Sequence, residues 1–172
     1  MELKITTRLI AIFTAALMLG GCMSSEKNEP LPRMSKKGAE DWARHFTESM
    51  ARSAGVKIKE GTVKPAFHDC VGENDEVAED GRFLLDYYAR ASLPVSEHAK
   101  AVKKVRADLE KRGYTINGYQ ETGGGKPSVL LDAAHPEKGF TVSAEGHAPQ
   151  DELLFSISTP CLLPPGATQQ QL

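Results

Sequence analysis

The stretch Phe83–Leu93, FLLDYYARASL, constrains the fold more than any other part of the chain. In an extended strand, Phe83, Leu85, Tyr87, Ala89 and Ala91 line one face, and Leu84, Asp86, Tyr88, Arg90 and Ser92 line the other. An apolar face opposite a mixed one predicts a strand buried on one side only, as in an antiparallel sheet covered by a single layer. Pro94 ends the pattern. Such a sheet needs a cover, and two amphipathic segments supply one. Ser35 is placed to cap a helix reaching about Ser53, in which Ala39, Trp42, Ala43, Phe46 and Met50 recur at three- and four-residue steps. Its Lys37, Glu40, Asp41, Arg44 and Arg52 face outward, and Gly55 closes it. Ser96 is placed to cap a second helix to about Arg112, with His98, Val102, Val105 and Leu109 inward and Gly113 at its end. Trp42 and Phe46 read as core anchors, with a ligand stack as their alternative use.

The rest of the chain reads as short strands. Val56 to Val71 alternates loosely around Val63, Phe67 and Cys70, and Pro65 suits an edge position. Tyr114–Glu121, Ser128–Ala134, Phe140–Ala144 and Leu153–Thr159 are separated by the turn-rich TGGGKP, HPEKG and GHAPQDE, a pattern that predicts an antiparallel meander. The order helix, two strands, helix, four strands predicts an α+β fold. It places two helices on one face of a mainly antiparallel sheet of about five to six strands, a two-layer sandwich. A length of 172 residues suits one such domain, spanning 36–164, with appendages. Residues 165–172, rich in glutamine, are expected to fray.

The N-terminus has a different character. Lys4 and Arg8 precede Leu9–Leu19, a charge-free run of 11 residues that is too short to cross a bilayer as a helix. A basic start, a short apolar run and small residues form the pattern of a secretory signal peptide. Leu19-Gly20-Gly21-Cys22 follows, a leucine and two small residues before a cysteine, and this resembles a bacterial lipobox. The resemblance implies that residues 1–21 are a lipoprotein signal peptide cleaved after Gly21. It further implies a diacylglyceryl group on the Cys22 thiol and an acyl-chain anchor in the cell membrane. The domain would then lie on the extracytoplasmic face, joined by residues 22–35, which read as a tether.

Export carries the domain out of the reducing cytosol. With Cys22 set aside, Cys70 and Cys161 remain, and they have one possible pairing. The alternative is that Cys70, in the sequence FHDC, is a nucleophile activated by His68, the neighbour that shares its strand face.

No catalytic signature stands out. The nucleophile elbow G-x-S-x-G, H-E-x-x-H and paired histidines at metal spacing are all missing from the sequence, so no catalytic or metal residue and no cofactor is assigned. The GENDEVAEDG loop fails calcium-loop spacing and reads as a solvated hairpin turn, and GGGKP lacks the spacing of a phosphate loop. Glu145, His147, Asp151 and Glu152 form the one acidic-histidine cluster that a divalent metal could use. Lys100, Lys103, Lys104, Arg106, Lys111 and Arg112 give the second helix a basic outer surface, read as a solvated face or an anionic-lipid contact. A net charge of −2 carries no nucleic-acid footprint. Cys70-Val71-Gly72, Gly113-Tyr114 and Pro160-Cys161, in this order of elements, resemble small actinobacterial lipoproteins, a likeness that implies no activity. The expected function is a non-catalytic binding or interaction domain for an envelope component, lipid or protein partner. The alternative is a lipoprotein hydrolase acting on cell-wall or extracellular substrate.

Overall fold

The computed structural model describes residues 29–72 and 75–171, so the signal-peptide segment and Cys22 lie outside the described residues. The elements run α1 (Lys36–Ala54), β1 (Lys64–Asp69), β2 (Phe83–Ser92), α2 (His98–Lys111), β3 (Thr115–Thr122), β4 (Ser128–Ala134), β5 (Thr141–His147) and β6 (Glu152–Ser158). All strand pairs are antiparallel, in one six-stranded sheet of order β1-β2-β6-β5-β4-β3. After β2 the chain leaves the sheet through α2 and re-enters at the far edge as β3. Three successive hairpins then return it to close against β2. The expected α+β architecture is present, with both helices on one face of the sheet.

Period-two alternation decides which face they cover. Phe83, Leu85, Tyr87, Ala89 and Ala91 of β2 are buried beneath the helices, as are Val129 and Leu131 of β4 and Leu153, Phe155 and Ile157 of β6. Ala39, Ala43 and Met50 of α1 and Val102, Val105 and Leu109 of α2 meet them from above. The Ser35 side chain accepts a hydrogen bond from the Gly38 amide at 3.0 Å. Gly55 ends α1 at φ +81°, a left-handed conformation in which any Cβ is strained.

The start of α2 departs from the sequence reading. Ser96 makes no cap; a 3-10 turn, Val95–Glu97, precedes the helix. Pro94 enters this turn with φ −58°, and the Val95 amide is satisfied from across the fold by the Asp151 carboxylate at 2.8 Å. His98 therefore begins the helix and is 3% exposed. Its Nε2–H donates to the Leu93 carbonyl at 2.9 Å, while Nδ1 is buried without a partner. The ring sits directly over Gly146 of β5, where a Cβ would lie 2.4 Å from Nδ1.

The chain ends also differ from expectation. Residues 165–171, expected to fray, are tied to the domain. Gln170 accepts from the Glu79 amide at 2.8 Å and donates its own amide to Asp80 at 2.9 Å. The described part of the tether is held too: Arg33 bridges in parallel to Leu163, and Gln169 bonds both Glu29 and Leu31 at 2.9 Å. The polar composition of these segments is consumed in satisfying one another's backbone groups.

A half-open aromatic cleft beside the chain entry

Cys70 and Cys161 are joined in a disulfide, so the Cys70 sulfur is not a free nucleophile. His68 contacts Asp86 instead, with Nε2 3.4 Å from the carboxylate. The acidic-histidine cluster is dispersed. His147 pairs with Glu145 at 2.9 Å, Asp151 serves Val95, and Glu152 pairs with Lys59 at 2.8 Å. No group of three or more His, Cys, Asp or Glu side chains positioned for a metal occurs among the described residues.

The largest of the openings described lies elsewhere. At the edge of the helix layer, Trp42 and Phe46 of α1 meet Phe140, just before β5, and Tyr114, just before β3. Trp42 stands 4.4 Å from Phe140 and 5.4 Å from Phe46 between ring centroids, and Tyr114 lies 5.5 Å from Phe46. Pro30, Pro32 and Met34 form a further wall, and His135, Glu137 and Lys138 of the β4–β5 turn form the rim. The cavity measures about 780 Å³, within the range of small-molecule sites. Local sequence explains each wall. The three- and four-residue spacing of α1 brings Trp42 and Phe46 to one side, and the Pro30–Pro32 segment is pinned where Leu163 donates to the Pro32 carbonyl at 2.9 Å.

The charges are placed unevenly. Arg112, expected on the solvent side of α2, folds over the Phe46 ring with its guanidinium carbon 4.3 Å from the centroid. Its Nη1 reaches Ser49 at 3.3 Å and Asp108 at 3.4 Å. A stacked guanidinium of this kind gains cation–π attraction while keeping other donors free. Tyr114 is 8% exposed, and its hydroxyl has no hydrogen-bond partner among the described residues. Burial pushes its phenol pKa up, an effect the Arg112 charge opposes. The remaining basic side chains of α2 are largely matched: Lys103 with Glu121 at 2.9 Å, Arg106 with Glu110 at 2.9 Å, Lys100 with Glu97 at 3.6 Å. A second, shallower depression of about 280 Å³ lies on the open sheet face. There Tyr88, Ser156, Ser143 and Asp132 stand in one cross-strand row.

Sequence reasoning identified Trp42 and Phe46 but not the cleft they line. It missed Phe140 and His135 as lining residues; Arg112 is exposed, as expected, and in addition stacks over Phe46. Only the adjacency of HPEKG to Phe140 hinted that a turn delivers an aromatic side chain. Fold and cleft together define an α+β domain with a small-molecule-sized aromatic opening beside Pro30 and Pro32. No protein-family model matches the chain, and comparison with curated proteins and with solved structures finds no match.

Proposed function

We propose that this protein is an extracytoplasmic lipoprotein, anchored through acyl chains on Cys22, whose domain binds an apolar or amphiphilic small molecule in the aromatic cleft without transforming it. The observation that carries the binding reading is the cleft itself, where four aromatic rings line an opening of about 780 Å³. The fold already buries Phe46, Tyr114 and Phe140 and half-buries Trp42, so the rings form a fixed apolar wall that a ligand could extend. The lipobox resemblance at Leu19–Cys22 and the Cys70–Cys161 bridge support the extracytoplasmic setting. Pro30, at the cleft wall, is eight residues from Cys22, so the anchor and the opening are at most about 28 Å apart along the chain.

Trp42 is the only tryptophan in the chain and lies in the cleft wall, so its emission reports occupancy directly. The mature chain with Cys22→Ser is titrated with a fatty acid, a lysophospholipid and a monoglyceride of equal chain length. A saturable blue shift with at least one of them is expected. Unchanged emission across the panel, or shifts that never saturate, overturns the binding reading. The anchor is tested separately, by intact mass of protein extracted from membranes and by Cys22→Ala, which should release the protein. Full membrane retention of that variant would remove the anchor from the proposal.

A further inference from the structure

We infer that the cleft selects an anionic amphiphile, an apolar chain ending in a carboxylate or phosphate, with the head group held by Arg112, Lys138 and the Tyr114 hydroxyl. This rests on the cleft being a ligand site, and it adds the chemistry of the ligand. The aromatic walls account for the apolar part; the distribution of polar groups accounts for the head. Several donors at this opening have no partner among the described residues. The Tyr114 hydroxyl, the Trp42 indole N–H and the Lys138 ammonium make no hydrogen bond to any described residue. Arg112 spends only Nη1, on Ser49 and Asp108, which leaves Nε and Nη2 unengaged. Against these stand the Glu137 carboxylate and the His135 ring, whose Nδ1 already accepts the Glu137 amide at 3.3 Å.

Tyr114 is the most informative of these groups. Its ring is buried, but its hydroxyl has no partner among the described residues and is not among the buried atoms, which leaves that group to water or to a ligand acceptor. Arg112 is fixed beside it, because stacking on Phe46 orients the planar guanidinium. Asp108 partly offsets the Arg112 charge at 3.4 Å, whereas Lys138 of the β4–β5 turn has no ion pair among the described residues. Arg112 and Lys138 are balanced in formal charge by Asp108 and Glu137, so a negatively charged oxygen head gains through charge-assisted hydrogen bonds to the unengaged donors, which a neutral head forms only weakly.

The test uses the mature Cys22→Ser chain, Trp42 emission, and four probes of one chain length: a fatty acid, a lysophosphatidic acid, a lysophosphatidylcholine and a monoglyceride. Either or both anionic probes should bind about tenfold more tightly than the monoglyceride at low salt, with the gap shrinking as ionic strength rises. The tighter of the two identifies a carboxylate or a phosphate head. Arg112→Gln and Lys138→Gln should each narrow the gap severalfold, and Lys138 is exposed enough that its replacement leaves the fold intact. Glu137→Gln should tighten the anions a few-fold and leave the monoglyceride unchanged. Equal affinity for charged and uncharged probes, or gaps unmoved by Lys138→Gln and Glu137→Gln, overturns this inference while leaving the cleft a binding site. Lack of saturable binding by every probe removes the binding reading itself.

Discussion

Gly146→Ala tests the packing argument where it is sharpest. Gly146 occupies an inward position of β5, in line with Val142 and Ala144, and faces the N-terminal end of α2. A Cβ built there would stand 2.4 Å from Nδ1 and 2.7 Å from Cγ of His98, and 2.9 Å from a Leu153 methyl. The His98 ring cannot swing away cheaply, because it is buried and its Nε2–H is held by the Leu93 carbonyl at 2.9 Å. In a strand without such a neighbour, alanine would be favoured over glycine by about 0.5–1 kcal/mol. Overpacking costs about 1–3 kcal/mol, and loss of the His98–Leu93 hydrogen bond adds about 1 kcal/mol. The clash therefore outweighs the propensity gain, and the variant should be about 2–3 kcal/mol less stable, a fall of roughly 5–10 °C in Tm for a domain of this size. Urea unfolding followed by circular dichroism measures the first quantity, and a thermal scan the second. A double-mutant cycle with His98→Ala isolates the contact: removing the ring makes room for the methyl, so the combined cost should fall short of the sum by at least about 1 kcal/mol. Stability equal to or above that of the parent, or strict additivity in the cycle, would refute the reasoning.

Other consequences follow from single contacts. Asp80 is gripped by the Arg82 guanidinium, with Nε–H donating at 2.9 Å, and by the Gln170 amide, which together hold its carboxyl far below its usual value of 3.8. The contribution of this depressed group is therefore complete above its unfolded value of about 4 and is lost as pH falls below it. Asp80→Asn should cost about 3 kcal/mol at neutral pH and flatten the acid limb of a stability-versus-pH curve; an unchanged acid limb would refute the assignment. Replacing Cys70 and Cys161 together with serine should cost about 2–5 kcal/mol in urea unfolding, and reductant should then have no further effect. Ser35→Ala should cost about 1 kcal/mol by removing the acceptor for the Gly38 amide, while Ser96→Ala, which removes no cap, should be within about 0.5 kcal/mol of the parent.

Much of the architecture could be read from the sequence because it depends on short-range periodicity. The alternation from Phe83 to Ser92 survives intact in the structure, and α1 begins and ends within a residue of its expected bounds at Ser35 and Gly55. Failures occur where a distant group replaces a local one. Ser96 has the residue type of a cap, yet Asp151, 56 positions away, satisfies the Val95 amide. The tail looked polar enough to fray, but its glutamines bond residues 79, 80, 29 and 31 across the whole chain. Propensity carries no information about such partners.

The cleft shows the same limit in its strongest form, and the limit bears on function. Its walls come from Pro30–Met34, α1, the end of α2 and the β4–β5 turn, four segments brought together by the sheet order, the packing of α1 and the pairing of Arg33 with Leu163. Because β3 lies at the far edge and the meander returns from it, the Gly113–Tyr114 and His135–Phe140 connections fall at the same end of the sheet. α1 then sets Trp42 and Phe46 over that end, and the pairing of Arg33 with Leu163 runs the N-terminal segment along its margin. The same pairing holds Pro30 and Pro32 against the opening. With Cys22 lipidated as proposed, the anchor is at most about 28 Å of chain from the aromatic opening. A bound amphiphile could then move between bilayer and cleft without the protein leaving the surface. This proposed coupling of address and site rests on two features remote in sequence, the Leu19–Cys22 motif and the Leu163 contact, and neither one alone implies it.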